Sequence, residues 1–269
     1  MDELTLEYRQ NKAIITLNNP QKLNALTLEQ YYLLASYLRE AAKRPDIHIT
    51  VLTGTGRFFS AGIDLKWTKA KESTPGNAAP EELHPRHAAT NSLAHIPDVT
   101  EAFYNHPNIL ITVLNGPVVG LSAALVAYSD FVYATPHTYL LAPFTTLGIA
   151  AEGGSTAIFI QRLGVAKANE ALLLSKRISG AELVQAGFVN AVFETGEDGG
   201  GGGEQGILGQ VLEVVDREFA RLKIASVLEN KRLMRGQFVP NLAAQTLKET
   251  LAVVASVEGV IAQRKKGRL

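Results

Sequence analysis

Hydrophobic positions in this chain follow two periods, and the switches between them mark its elements. Leu4, Leu6 and Tyr8, then Ala13, Ile15 and Leu17, alternate with polar residues. Gln10-Asn11-Lys12 supplies turn residues between them, which predicts a hairpin over 4–8 and 13–17 that ends at Asn18-Asn19-Pro20. Thr27 stands where an N-cap belongs, with Gln30 placed as in a capping box, and an amphipathic helix over 28–42 stops near Arg44-Pro45. Apolar runs bounded by turn residues predict strands over 49–53, 109–114, 131–134, 139–141 and 189–193. Helical spacing covers 91–105, 154–163, 165–174, 180–186, 207–222, 226–236 and 241–263. Residues 71–90, rich in Pro, Ala and Glu, read as a mobile loop beside a ligand site.

The stretch Leu114-Asn115-Gly116-Pro117-Val118-Val119-Gly120-Leu121-Ser122-Ala123-Ala124 reads as strand, tight turn and helix. The first N–H groups of such a helix lack intrahelical partners and carry the positive end of its dipole. Gly120 lets a ligand approach the backbone. The arrangement suits an oxygen that turns negative during a reaction, although an ordinary strand-to-helix turn looks the same. A second stretch, Arg57-Phe58-Phe59-Ser60-Ala61-Gly62-Ile63-Asp64-Leu65-Lys66, also follows a strand and a Gly-Thr-Gly turn.

Composition narrows the classes. The 269 residues are 46% hydrophobic and 19% charged, enough for one large domain with an appendage. Zero formal net charge gives no global field for nucleic acid or an anionic membrane. Without cysteine, disulfides, thiolate metal sites and a cysteine nucleophile are excluded. The N-terminus lacks the pattern of a signal peptide and no apolar run reaches spanning length, so a soluble intracellular protein without membrane insertion is expected. The glycine run in 196–206 is not followed by Lys-Ser/Thr, which argues against a P-loop and for a flexible linker. His84 and His87 have no third ligand nearby, so no metal site is expected.

Taken as a pair, F-F-S-A-G-I-D-L-K and L-N-G-P-V-V-G-L-S-A-A resemble the enoyl-CoA hydratase/isomerase (crotonase) superfamily. The resemblance implies an α/β fold, a crotonase-like spiral of ββα units with a C-terminal helical segment. It divides the chain into a core over 1–195, the linker over 196–206 and a helical region over 207–269. It implies an acyl-CoA thioester substrate, no cofactor beyond the coenzyme A of that substrate, and a homotrimer or hexamer. The thioester oxygen would rest on the backbone N–H groups of Ile63 and Leu121. Ser60, Ala61, Gly62, Asp64, Lys66 and Gly120 belong to the same binding segments, and Asn24-Ala25 to a loop that helps hold coenzyme A.

The hydratases of the family use two glutamates, and here those positions hold Ala124 and Phe144, neither an acid nor a base. Glu152, between apolar residues and Gly153-Gly154, is the remaining carboxylate in the right region; burial there would raise its pKa. A helix-terminal carboxylate that only complements the dipole is the plain alternative. The segment L-G-I-A-A-E-G-G-S resembles the fungal peroxisomal Δ3,Δ2-enoyl-CoA isomerases, which implies Glu152 as sole acid/base moving a proton from C2 to C4. Rival readings are a dienoyl-CoA isomerase, another crotonase-fold enzyme of secondary metabolism, or a non-catalytic acyl-CoA-binding subunit. Asp64 reads as structural and Asp130, at the start of a strand, as a turn or interface residue, while Lys66 reads equally as a coenzyme A phosphate contact or a solvated lysine. The terminal Gly267-Arg268-Leu269 resembles a peroxisomal targeting tripeptide; failing that, the cytoplasm is expected.

Overall fold

A computed structural model of the chain describes residues 3–64, 85–194 and 206–265. The larger of its two sheets has six strands in the order β1 (Leu4–Arg9), β2 (Lys12–Leu17), β3 (Ile49–Gly54), β4 (Ile109–Leu114), β6 (Phe131–Ala134) and β9 (Ala191–Val192). The hairpin pair β1 and β2 is antiparallel, and every later neighbour is parallel. The register sets Ile14, Val51, Ile111 and Phe131 in one row across the sheet. Ile15 and Leu52 pair on the opposite face. Both faces are covered, so β3 and β4 are buried along their whole length.

Each parallel connection carries a helix. Between β2 and β3 runs α1 (Leu28–Lys43), whose capping box is complete: the Gln30 N–H donates to Thr27 Oγ1 at 3.2 Å and the Thr27 N–H to Gln30 Oε1 at 2.9 Å. Between β3 and β4 runs α2 (Pro85–Tyr104), which starts earlier than the 91–105 expected from periodicity. Proline suits a first helical position, so Pro85 begins the helix rather than extending the loop. The rest of the expected loop, and with it His84, lies outside the described residues.

The smaller sheet joins β5 (Val118–Val119), β7 (Tyr139–Leu141) and β8 (Ile178–Ser179). Here the expected strand, turn and helix is corrected. Val118 and Val119 pair with Leu140 and Leu141 instead of entering the helix, so α3 (Leu121–Val126) is only six residues long. The two helices expected over 154–174 form one kinked element, α4 (Ser155–Leu173), with Gly164 at φ 74° as the break. A short helix, α5 (Gly180–Gln185), follows with its own Ser179–Glu182 capping box. The strand expected over 189–193 shortens to β9.

The C-terminal region is helical: α6 (Ile207–Phe219), α7 (Ile224–Gly236) and α8 (Val239–Lys265). Ile207, Leu208, Val211 and Val215 of α6 cover the sheet face made by Ile14, Val51, Ile111 and Val113. The expected glycine-rich linker, except for Gly206 before α6, and the terminal Gly267-Arg268-Leu269 lie outside the described residues. Among the described residues, no helix is long and apolar enough to cross a membrane.

Asp130, just before β6 and expected as a turn or interface residue, ties α7 to the sheet. Its carboxylate accepts the Leu110 N–H and bridges Lys231 at 2.6 Å and Arg235 at 2.9 Å. Burial alone would raise its pKa, but Lys231 and Arg235 outweigh burial and hold it below the usual carboxylate value. Replacing Asp130 by Ala leaves two half-buried cations unpaired, and we expect a loss on the order of 3–5 kcal/mol in denaturant unfolding near neutrality. Because the folded pKa is lowered, the wild-type advantage is present above the unfolded value and shrinks as pH falls through the folded one. Equal stability of the two proteins near neutrality would contradict this assignment.

Candidate active site

The two segments singled out in the sequence meet in space. Residues 59–64 are laced to β5: the Phe59 and Ser60 N–H groups donate to Pro117 O at 3.0 and 3.3 Å, and the Val119 N–H donates to Ser60 O at 2.9 Å. On their other side the Leu26 N–H donates to Gly62 O, and the Asp64 N–H to Leu26 O, at 2.9 and 2.8 Å. The Gly120 N–H is taken by Leu141 O at 2.8 Å. After these bonds, no acceptor among the described residues takes the N–H of Ile63 or of Leu121. The crossing is close enough to need glycine. Gly62 has φ 88° and Gly120 φ 62°. A Cβ on Gly62 would fall 2.9 Å from Val119 O.

A buried hydroxyl chain locks the crossing from behind. The Ser60 hydroxyl donates to Asn24 O at 2.8 Å and stands 2.9 Å from Ser122 Oγ, which is 2.8 Å from the Tyr31 hydroxyl. With its one proton given to Asn24, Ser60 accepts from Ser122, and Ser122 accepts from Tyr31. The Gly62 N–H also donates to Ser60 Oγ, at 3.1 Å. The chain therefore runs one way from α1 through α3 to the 59–64 segment.

In front of the crossing lies a cavity of about 180 Å³. Ala61, Gly62 and Ile63 form one wall and Val119, Gly120 and Leu121 another. Pro143, Phe144, Leu147 and Ile149 add an apolar lining, and among the described residues Glu152 is the one ionisable residue that lines it. Glu152 is only 4% exposed. No hydrogen-bond donor to its carboxylate is found among the described residues. Burial, and then the charge of Glu249, push its pKa up to about 8. The turn that carries Glu152 leads directly into α4. Its bonds tie it to α8, where the Glu249 carboxylate accepts the Gly154 N–H at 2.6 Å and the Thr156 N–H at 2.9 Å.

Of the residues nominated in the sequence, Ala61, Gly62, Ile63, Gly120, Leu121 and Glu152 line one cavity. Asn24 and Ser60 do not line it, because their side chains are engaged within the protein. The Asn24 amide donates to Thr55 O and Phe58 O at 2.9 and 2.8 Å and accepts the Asn19 N–H, so its polar atoms brace the loop. Asp64 stands 3.7 Å from Lys22, and it and Ala25 lie outside the cavity lining. Lys66 lies outside the described residues. Ala124 is fully buried and Phe144 packs into the cavity wall. Among the described residues, no group of three or more His, Asp or Glu side chains is placed to hold a metal ion.

Sequence reasoning missed Glu249 and the Tyr31–Ser122 pair. A signal for Glu249 was present: Leu242, Thr246, Glu249, Thr250 and Val253 share the buried face of α8, so a carboxylate interrupts a core stripe.

The family model described as enoyl-CoA hydratase/isomerase matches residues 7–198. The chain belongs to the enoyl-CoA hydratase/isomerase family. It is 42% identical over 263 residues to the Delta(3,5)-Delta(2,4)-dienoyl-CoA isomerase of Pyricularia oryzae, across 97% of this chain and 94% of that one. It is 34% identical over 227 residues to the 3,2-trans-enoyl-CoA isomerase of Saccharomyces cerevisiae, across 84% and 79% of the two chains. The solved enoyl-CoA hydratase/isomerase from Mycobacterium paratuberculosis shares the fold, with a TM-score of 0.80 at 24% identity over 95% of this chain and 93% of that one. The crotonase-like α/β fold with its C-terminal helices is thus common to this family member and its structural neighbours.

The glycine crossing makes a direct stability prediction. Gly62→Ala must relieve both a left-handed backbone and a contact with Val119 O, and should lose about 1–3 kcal/mol in denaturant unfolding. Gly187→Ala, where φ is also positive but an added Cβ meets nothing within 4 Å, should lose less. A Gly62 variant no less stable than the Gly187 variant would contradict the close crossing.

Proposed function

We propose that this protein is a Δ3,Δ2-enoyl-CoA isomerase that converts a 3-enoyl-CoA into trans-2-enoyl-CoA. The observation that carries the reading is one cavity lined, among the described residues, by a single carboxylate and by two segments whose Ile63 and Leu121 N–H groups meet no acceptor there. In the proposed reaction the Glu152 carboxylate takes a proton from C2. The electron pair moves toward the thioester carbonyl, whose oxygen becomes negative and rests on the two N–H groups. The protonated Glu152 then returns a proton to C4 as the double bond settles between C2 and C3. One base serves both carbons, so no second acid is needed. Desolvation makes Glu152 a stronger base than a solvated glutamate, which brings it nearer to the weakly acidic C2–H.

The absence of carboxylates at positions 124 and 144 speaks against hydration, which needs groups to position and deprotonate a water. A second reading, dienoyl-CoA isomerisation, is favoured by the 42% identity to the Pyricularia oryzae protein. That reaction moves a proton from C2 to C6, farther than C4 from the same base, and among the described residues the cavity lining holds no second carboxylate. Coenzyme A contacts from the 24–25 loop and Lys66, a homo-oligomer and a peroxisomal role in oxidation of unsaturated fatty acids belong to the same proposal. The α7 helix has no buried residue and exposes Leu233 and Met234, which suits a subunit contact.

The test is a substrate panel read by absorbance of the conjugated product. We expect turnover of 3-enoyl-CoA, little hydration of trans-2-enoyl-CoA, and slower turnover of 3,5-dienoyl-CoA. Glu152→Gln should lower kcat on the order of 10²–10⁴-fold while acyl-CoA still binds. Full activity in that variant would overturn the reading, and a preference for the 3,5-diene would favour the second. The pH dependence has a fixed sign. Because the base form is needed and the pKa lies near 8, kcat/KM should rise about tenfold per pH unit below that value and level off above it. A plateau already reached at pH 5–6 would contradict a desolvated Glu152.

A further inference from the structure

We propose that Glu249 is a positioning residue for the reaction proposed above: from α8 it holds the turn that aims Glu152 into the cavity, and its negative charge tunes Glu152 as a base. The inference rests on Glu152 being that base, and it assigns a task to the C-terminal helix that the site itself leaves open.

The geometry comes first. The N-terminus of α4 begins at Gly154, which has no side chain to cap it. Glu249 supplies the missing acceptor from another element. One carboxylate oxygen takes the Gly154 N–H at 2.6 Å. The other takes the Thr156 N–H at 2.9 Å and the Thr156 hydroxyl. Gln245, one turn earlier on α8, donates to the same Thr156 hydroxyl oxygen at 2.8 Å. Ser256, farther along, accepts the Ala150 N–H at 3.3 Å. The Tyr128 hydroxyl holds Gly153 O at 3.0 Å from the opposite side. The turn over 150–156 is thus fixed on both flanks of Glu152, mainly by α8. Glu249 does not line the cavity, so it acts through Glu152 rather than on the acyl chain.

The charge argument follows from the same bonds. Glu249 receives three donors, whereas Glu152 receives none among the described residues. Of two neighbouring buried carboxyls, the one with donors carries the negative charge and the one without keeps the proton longer. Burial raises the Glu249 carboxyl above its ordinary value, but its donors pull it back, so Glu249 ionises ahead of Glu152 and its charge is the one that acts on Glu152. Among the described residues, the other titratable groups facing the pair are hydroxyls, Tyr31 of α1 beside Glu152 and Tyr128 beside Glu249, and burial pushes both well above their ordinary pKa. Tyr104 and Arg235 lie behind Tyr128. Removing the Glu249 charge should therefore let Glu152 ionise more readily.

Glu249→Gln keeps the shape and one acceptor oxygen but removes the charge. Its kcat/KM for 3-enoyl-CoA, followed against pH, should reach half its plateau at a pH lower than wild type by on the order of one unit. Glu249→Asp keeps the charge but shortens the reach; its midpoint should stay raised while kcat falls. Glu249→Ala removes the charge together with the bonds; its midpoint should fall by about as much as that of the glutamine variant, so it reads the same quantity should Glu249→Gln fail to fold. A merely structural Glu249 would lower kcat and thermal stability without moving any midpoint, and an unmoved midpoint in Glu249→Gln, or in Glu249→Ala where that variant must serve, overturns the proposal. Glu152→Gln separates the two failures. If it retains isomerase activity, the underlying reading fails. If it is inactive while the Glu249 midpoint is unmoved, only the role of Glu249 fails.

Discussion

Glu152 keeps its carboxyl out of water, and no donor among the described residues reaches it; much of the surrounding fold serves to keep it there. An isolated buried carboxylate is expensive, so such a group holds its proton to a higher pH than it would in solution. In the proposed reaction that cost is useful, because the proton is the reagent. The apolar lining of Phe144, Leu147 and Ile149 withholds solvent, and the negative charge of Glu249 further disfavours ionisation of Glu152. A lysine or arginine beside Glu152 would have relieved the strain and weakened the base.

The two sheets divide the remaining work. The six-stranded sheet is a buried platform, covered on one face by α6 and on the other by the main core. The three-stranded sheet, extended by the Ser60–Val118 and Leu26–Ile63 bridges, brings distant segments into register at one edge. Backbone pairing there uses the N–H groups of Ser60, Val119, Gly120 and Asp64 and leaves those of Ile63 and Leu121 over. The orphaned donors are thus a consequence of sheet geometry, which explains why Ile and Leu are tolerated at positions whose side chains take no part in the bonding. The hydroxyl chain from Tyr31 to Asn24 then fixes the crossing at low cost, since every member is satisfied.

Much of this was legible in the chain where local chemistry decides the outcome. The strands over 109–114, 131–134 and 139–141 have the same limits in the structure, because β-branched or aromatic runs end at turn residues. The Thr27–Gln30 box is local as well. What local pattern could not show was pairing over distance. Val118-Val119 reads as the lead into a helix until Leu140 is there to pair with it. Asn24 and Ser60 read as binding residues because their partners, Phe58 O and Ser122, come from other turns of the chain. Glu152 was found through a motif, but its environment was not, since the carboxylate that acts on it comes from the last helix.

The account's central claim is that one carboxylate moves one proton between two carbons of the same substrate. It is tested most directly by label transfer. A 3-enoyl-CoA deuterated at C2 would be converted under single-turnover conditions, and the product examined for deuterium at C4. Retention of part of the label at C4 is the predicted result, because the proton would ride on Glu152, the one acid that lines the cavity among the described residues. Complete loss of the label to water, at every substrate and buffer concentration, would mean that separate groups or solvent handle the two carbons, and would contradict the account.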